Sequence, residues 1–141
     1  MLNNFRFTAM AILSSLFFSS CSDDDKKVRS IELEYRIAVE TLANPILSVT
    51  YVDQYGEQVV VTGNDESVTV TTDMTIFSKT ITVRPPFEAQ MTAMMQNNSE
   101  VAIPYLISIA EDGVIAISQN SALPANSPHE NSISYAFQVT Q

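Results

Sequence analysis

The chain has 141 residues, with 16 acidic and 7 basic side chains, a formal net charge of −9, one cysteine, one histidine and no tryptophan. Only Lys26, Lys27 and Arg29 cluster, beside three aspartates. That argues against a nucleic-acid partner, since a phosphate backbone is bound by grouped Lys and Arg. A single thiol likewise leaves no disulfide staple and no cysteine-ligated metal to hold the fold.

Arg6 precedes an uncharged run from Phe7 to Ser20, rich in Ala, Ile, Leu, Met and Phe, the pattern of a secretory signal. The run is too short to span a bilayer, which takes about 20 predominantly apolar residues. Ser19 and Ser20 stand directly before Cys21, with bulky Phe18 ahead of them. This resembles a bacterial lipobox, which implies diacylation of the Cys21 thiol and cleavage just before it. The alternative is an ordinary cleaved signal followed by a free thiol, an odd group to leave unpaired in an oxidising compartment.

After the cysteine, Ser22-Asp23-Asp24-Asp25-Lys26-Lys27 looks like the acidic export signal of surface lipoproteins in the Bacteroidota. A solvated linker is the alternative, because like charges repel and keep a short segment extended. The expected organisation is a signal peptide over residues 1–20, an acylated cysteine and acidic tether over 21–29, and one domain over 30–141. The expected location is the outer membrane at the cell surface, with affinity supplied by acyl chains at roughly 0.8 kcal/mol per buried CH₂. Losing Arg6 leaves 6 basic against 16 acidic residues, a side-chain charge of −10.

From Ser30 to Thr41 apolar Ile31, Leu33, Tyr35, Ile37 and Val39 alternate with Glu32, Glu34, Arg36 and Glu40. A period of two predicts a half-buried strand. Ala43-Asn44-Pro45 interrupts it, and Ile46 to Val52 is a second strand with Leu47, Val49 and Tyr51 inward. Asp53-Gln54-Tyr55-Gly56 turns the chain into a third strand at Val59-Val60-Val61, a hairpin in which Gly56 takes positive φ. Val68 to Thr72 is a short strand. Ile76 to Val83 is the next, with Phe77, Ile81 and Val83 in phase and Lys79 snorkelling at the rim.

Pro85-Pro86 ends that strand, and Phe87 to Met95 opens another with Phe87, Ala89, Met91, Ala93 and Met95 on one face. Ala, Met and Gln also favour helix, so helix is the competing reading here. Val101 to Ala110 is the most apolar stretch and reads as a central strand, although Pro104 suggests an edge or a bulge. Glu111-Asp112-Gly113 is a tight turn and Val114 to Ser118 returns from it. Gln119 to Asn131, with Pro124 and Pro128, reads as an irregular loop. Ile133, Tyr135, Phe137 and Val139 form the last strand.

Short strands punctuated by turns predict an all-β fold, an antiparallel immunoglobulin-like β-sandwich of about 7–9 strands. A small closed barrel has the same alternation and is the alternative. Ser48-Val49-Thr50-Tyr51, Phe77-Ser78-Lys79, Phe87-Glu88-Ala89-Gln90 and Ile107 to Val114, in that order, resemble the small β-sandwich family of mycobacterial transport accessory proteins called MmpS. The resemblance spans roughly residues 31 to 120 and implies the fold. The chain departs from the family in lacking a tryptophan near Phe77 and a cysteine pair, and no functional residue carries over.

Catalytic sets are sparse. His129 is the only histidine and so the only imidazole base for a Ser/His/acid hydrolase; its Pro/Asn/Ser-rich surroundings suggest a solvated loop residue instead. Asp65 with Glu66, Glu111 with Asp112, and Asp53, Glu57 and Asp73 offer carboxylates for a hydrolase, but turn chemistry accounts for most of them. Oxygen-rich loops suit calcium better than catalysis, yet no D-x-D-x-D-G loop is present, so no cofactor is expected, with calcium as the alternative. Most aromatics fall in phase with inner faces; Tyr55, in the hairpin turn, is the exception, read first as a cap on the core edge and otherwise as the candidate ligand contact. The expected function is a non-catalytic binding or accessory module of the envelope, held to the membrane through Cys21 and contacting an envelope protein or a glycan. A small hydrolase using loop carboxylates and a structural envelope protein without a discrete ligand are the alternatives.

Overall fold

A computed structural model describes residues 28–139. The expected signal peptide, Cys21 and the expected export signal at Ser22, Asp23, Asp24 and Asp25 lie outside the described residues. Within them are nine strands and no helix: β1 (Ile31–Val39), β2 (Ile46–Val52), β3 (Gln58–Thr62), β4 (Val68–Val70), β5 (Thr75–Val83), β6 (Phe87–Asn97), β7 (Ile103–Glu111), β8 (Val114–Leu123) and β9 (Ser127–Phe137). They form a five-stranded sheet, β4-β5-β1-β7-β8, and a four-stranded sheet, β3-β2-β6-β9. Every pairing is antiparallel. The sheets pack face to face and do not close into a barrel, so the sandwich alternative holds.

The order carries an immunoglobulin-like centre. Strands β4-β5-β1 stand as D-E-B and β3-β2-β6-β9 as C′-C-F-G, while the β7–β8 hairpin occupies the place of strand A beside B. The period-two pattern is what drives this. Leu33, Tyr35, Ile37 and Val39 of β1 and Met91, Ala93 and Met95 of β6 are fully buried between the sheets. Each large apolar side chain so buried contributes about 1.5–3 kcal/mol. Tyr35 and Tyr51 meet at 5.4 Å between ring centroids and Tyr51 meets Phe77 at 6.3 Å, joining the sheets through aromatic contacts. The Tyr35 hydroxyl crosses the core to donate to the Val52 carbonyl at 2.8 Å.

The Met-rich segment is a strand of eleven residues, not a helix, with the predicted face inward. The Asp112-Gly113 turn has φ of 47° and 81°, and Gly56 has φ of 82°, as those turns require. Lys79 is exposed despite its inward phase, at the rim.

Four local expectations change. A bulge between Ile46 and Ser48 turns Ile46 inward and leaves Leu47 52% exposed. Val101 precedes β7 and is exposed. Val139 lies beyond β9 and is exposed. The stretch from Gln119 to Asn131 is the second half of β8, a short turn and the start of β9.

Both prolines that obscured the strands sit where no ladder donor is needed. Glu40 N–H donates to the Pro104 carbonyl, so Pro104 faces past the end of β1, on an interior strand without a bulge at that position. Gln96 N–H donates toward β2, to the Pro45 carbonyl at 2.8 Å, so Pro128, opposite Gln96, turns its nitrogen to the open edge of β9.

Candidate functional site

The two ends of the sandwich have different contents. The described chain enters β1 at one end, together with the β2–β3 turn, the β5–β6 connection and the β7–β8 turn. Arg29 pairs with Asp112 there, and Asp112 Oδ1 accepts the Glu32 N–H at 2.9 Å, so the hairpin turn clasps the start of β1. Tyr55 stands at this same end, 80% exposed. It neither caps the core nor gathers other aromatic groups.

At the opposite end the β1–β2 and β6–β7 loops enclose a hollow of about 200 Å³ lined by Thr41, Asn44, Gln96, Asn98, Ser99 and Ile103, among others. Buried Asn97 organises it: its amide donates to the carbonyls of Val101 and Leu123 and its oxygen accepts from Ser99. Asn44 clamps Gly63 by donating to its carbonyl at 2.6 Å.

Two of the carboxylates named from sequence, Asp53 and Asp65, are used locally. Asp53 Oδ1 accepts the N–H groups of Tyr55 and Glu57 at 2.9 and 3.0 Å. Asp65 Oδ1 accepts the Ser67 hydroxyl and N–H, and these hydrogen bonds hold the Asp65 carboxyl below the usual carboxylate range. Among the described residues no three His, Cys, Asp or Glu side chains converge as a metal group.

His129 corrects the loop reading, for it lies on β9, half-buried, with Nε2 2.9 Å from the Tyr105 hydroxyl. Asn131 donates to the same hydroxyl. The three side chains engage one another where the β7 and β9 inner faces reach the open side of the sandwich, a polar seam that satisfies the buried tyrosine hydroxyl.

The outer face of the four-stranded sheet carries two charge-free rungs. One rung carries Val60, Thr50, Thr92 and Ser132 across all four strands, with the Thr92 and Ser132 hydroxyls 2.8 Å apart. In the next rung Gln58 faces Val52 and Gln90 faces Ser134. Thr50, Val52, Gln58, Gln90 and Thr92 line a shallow depression of about 190 Å³. No charged side chain lies in these two rungs; Glu88 and Glu130 stand at the margins. In a chain of net charge −9, this is a surface free of charge, with hydroxyls and amides beside Val52 and exposed Val60.

Sequence reasoning followed the inward residues of these strands and passed over the outward ones. The signal was there: Ser48 and Thr50, Gln90 and Thr92, and Ser132 and Ser134 are outward pairs that are polar yet uncharged. Compared with known proteins, the chain matches no family model and no curated sequence.

Proposed function

We propose that the protein is an outer-membrane, surface-exposed lipoprotein, anchored through Cys21 and directed by Ser22 to Asp25. Its domain acts as a non-catalytic module that binds a neutral, hydroxyl-rich glycan segment of the envelope. The observation that carries the binding half is the uncharged Thr/Gln/Ser face of the four-stranded sheet. Hydroxyls and amides both donate and accept, which matches a sugar hydroxyl. A polyanionic ligand would instead require Lys or Arg on that face and would meet the repulsion of an acidic chain.

This reading places the ligand on Thr50, Gln58, Gln90 and Thr92 rather than on Tyr55. The test is retention of the full chain, in detergent, on immobilised neutral polysaccharides, beside Thr92→Arg and Tyr55→Ala. Binding lost in Thr92→Arg and kept in Tyr55→Ala supports it. No retention, or equal retention of Thr92→Arg, overturns it. Protease shaving of intact cells tests the anchoring half: a domain cleaved only after the outer membrane is permeabilised faces inward.

A further inference from the structure

We propose that the free edge of β8 is a docking surface for a second copy of this chain, the two β8 strands pairing antiparallel about a two-fold axis at Asn120. Among the described residues β8, ten residues long, pairs only with β7, and it buries only Leu123. Gln119 and Ser121 share the inner face with Ile107 and Tyr105, their neighbours on β7, yet both are exposed. Val114 and Ile115 at its start are exposed as well. A long strand held on one side only presents a row of unpaired backbone groups, which native edges ordinarily blunt by shortness, charge, proline or bulges.

The other edges are blunted. β4 has three residues, β3 has five, and β9 carries Pro128 and Glu130. In β8 the bulge lies near the hairpin turn, between the partners of Ile109 and Ala110, and leaves Ile117 to Leu123 in unbroken register. No Asp, Glu, Lys or Arg occurs from Val114 to His129. In a chain of net charge −9, self-association across most of the surface is repulsive, and this edge is one where two copies meet without like charges and with unpaired backbone groups to exchange.

The register follows from the ladder. Pro104 turns its carbonyl to Glu40, on the β1 side, so its opposite residue Ala122 turns its backbone groups away from β7. By alternation Ser118 and Asn120 do the same. A two-fold axis perpendicular to the sheet sets a residue opposite its own copy. At Asn120 it brings Ser118 opposite Ala122 of the second copy and the reverse, so three facing pairs each exchange two hydrogen bonds. On the inner side Gln119 then faces Ser121, amide to hydroxyl, and Ile117 faces Leu123.

Such an axis also keeps both four-stranded sheets on the same side of the dimer, so their outer faces are displayed together. That bivalent display rests on the glycan reading; the pairing does not, and the test below contains no glycan.

Full-length chain in detergent carrying Asn120→Cys is treated with a short bis-maleimide, beside wild type, which reports the Cys21 background, and Thr69→Cys on the β4 edge. Light scattering of wild type and Asn120→Glu accompanies it. The proposal expects a cross-linked dimer for Asn120→Cys alone. It also expects a wild-type dimer whose dissociation constant rises about fivefold or more in Asn120→Glu, since only at the axis does one substitution set like charges face to face. A monomeric wild type, cross-linking of Thr69→Cys to the same extent, or an Asn120→Glu dimer of unchanged affinity overturns it.

Discussion

One rung of the five-stranded sheet runs Phe77, Ile37, Ile107, Gln119, from β5 through β1 and β7 to β8, all on the inner face. The first three side chains are fully buried, and the fourth is exposed. Over three strand spacings of about 5 Å each, the same backbone geometry passes from the centre of the core to solvent. β1 is fixed by what its side chains exclude from water, whereas β8 from Ser118 to Ala122 is fixed by its hydrogen bonds to β7. A strand of the second kind leaves no hydrophobic period in the sequence.

The largest effect is expected at the buried end of that rung. Ile37→Ala should lower unfolding stability by about 3–4 kcal/mol, because it removes buried methylenes and leaves a cavity that two packed sheets cannot collapse. Denaturant unfolding followed by tyrosine fluorescence measures this. A cost under about 1 kcal/mol would mean that the centre of the sandwich is loosely packed and that the contrast along the rung is false.

Gly63 offers a second kind of core dependence, on a missing side chain. A Cβ there would lie 1.8 Å from the Ile46 carbonyl oxygen, a backbone atom that cannot swing away. Gly63→Ala is therefore expected to cost roughly 2–3 kcal/mol, in the range of overpacking. The same melts should show it, with the β2–β3 hairpin displaced in amide-exchange data.

These two positions also mark what the sequence disclosed. Alternation at Ile31–Val39 and Phe87–Met95 located the central strands and their inward faces, because burial on one face requires that pattern. Asp112-Gly113 and Gly56 located turns, because few residues adopt positive φ. The bulge that exposes Leu47 was hidden, since Ile46 and Leu47 are equally apolar and only the ladder decides between them. Gln119 to Asn131 was hidden for the opposite reason: an exposed edge needs no apolar side, and Pro128 sits where no donor is missed. The candidate glycan face went unread because outward Thr, Ser and Gln are ordinary singly. They are distinctive only when registry aligns them into charge-free rungs.

A smaller effect is expected at Tyr35, the polar member of the inner face of β1. Burial pushes its phenol above the ordinary tyrosine value, so the folded state keeps the proton where the unfolded chain releases it. The unfolded state then binds fewer protons, and stability should fall as pH rises above about 10, toward the folded value. Tyr35→Phe should cost about 1 kcal/mol at neutral pH, for the lost hydrogen bond to the Val52 carbonyl, and should flatten part of the alkaline decline. An unchanged alkaline slope in the variant would assign that decline to other tyrosines.

The smallest effect belongs to the far end of the rung. Gln119→Ala removes a side chain that faces inward by phase and solvent by position, so at dilutions where the chain is monomeric it should change stability by less than about 0.5 kcal/mol. Ile107→Ala, one strand away, should behave like Ile37→Ala. The informative quantity is the step between the two neighbours. If Gln119→Ala costs as much as about 1 kcal/mol in dilute chain, the four-stranded sheet reaches over β8 and the strand is covered within one molecule. If the cost is absent in dilute chain and appears only as concentration rises, what covers Gln119 is the Ser121 side of a second β8.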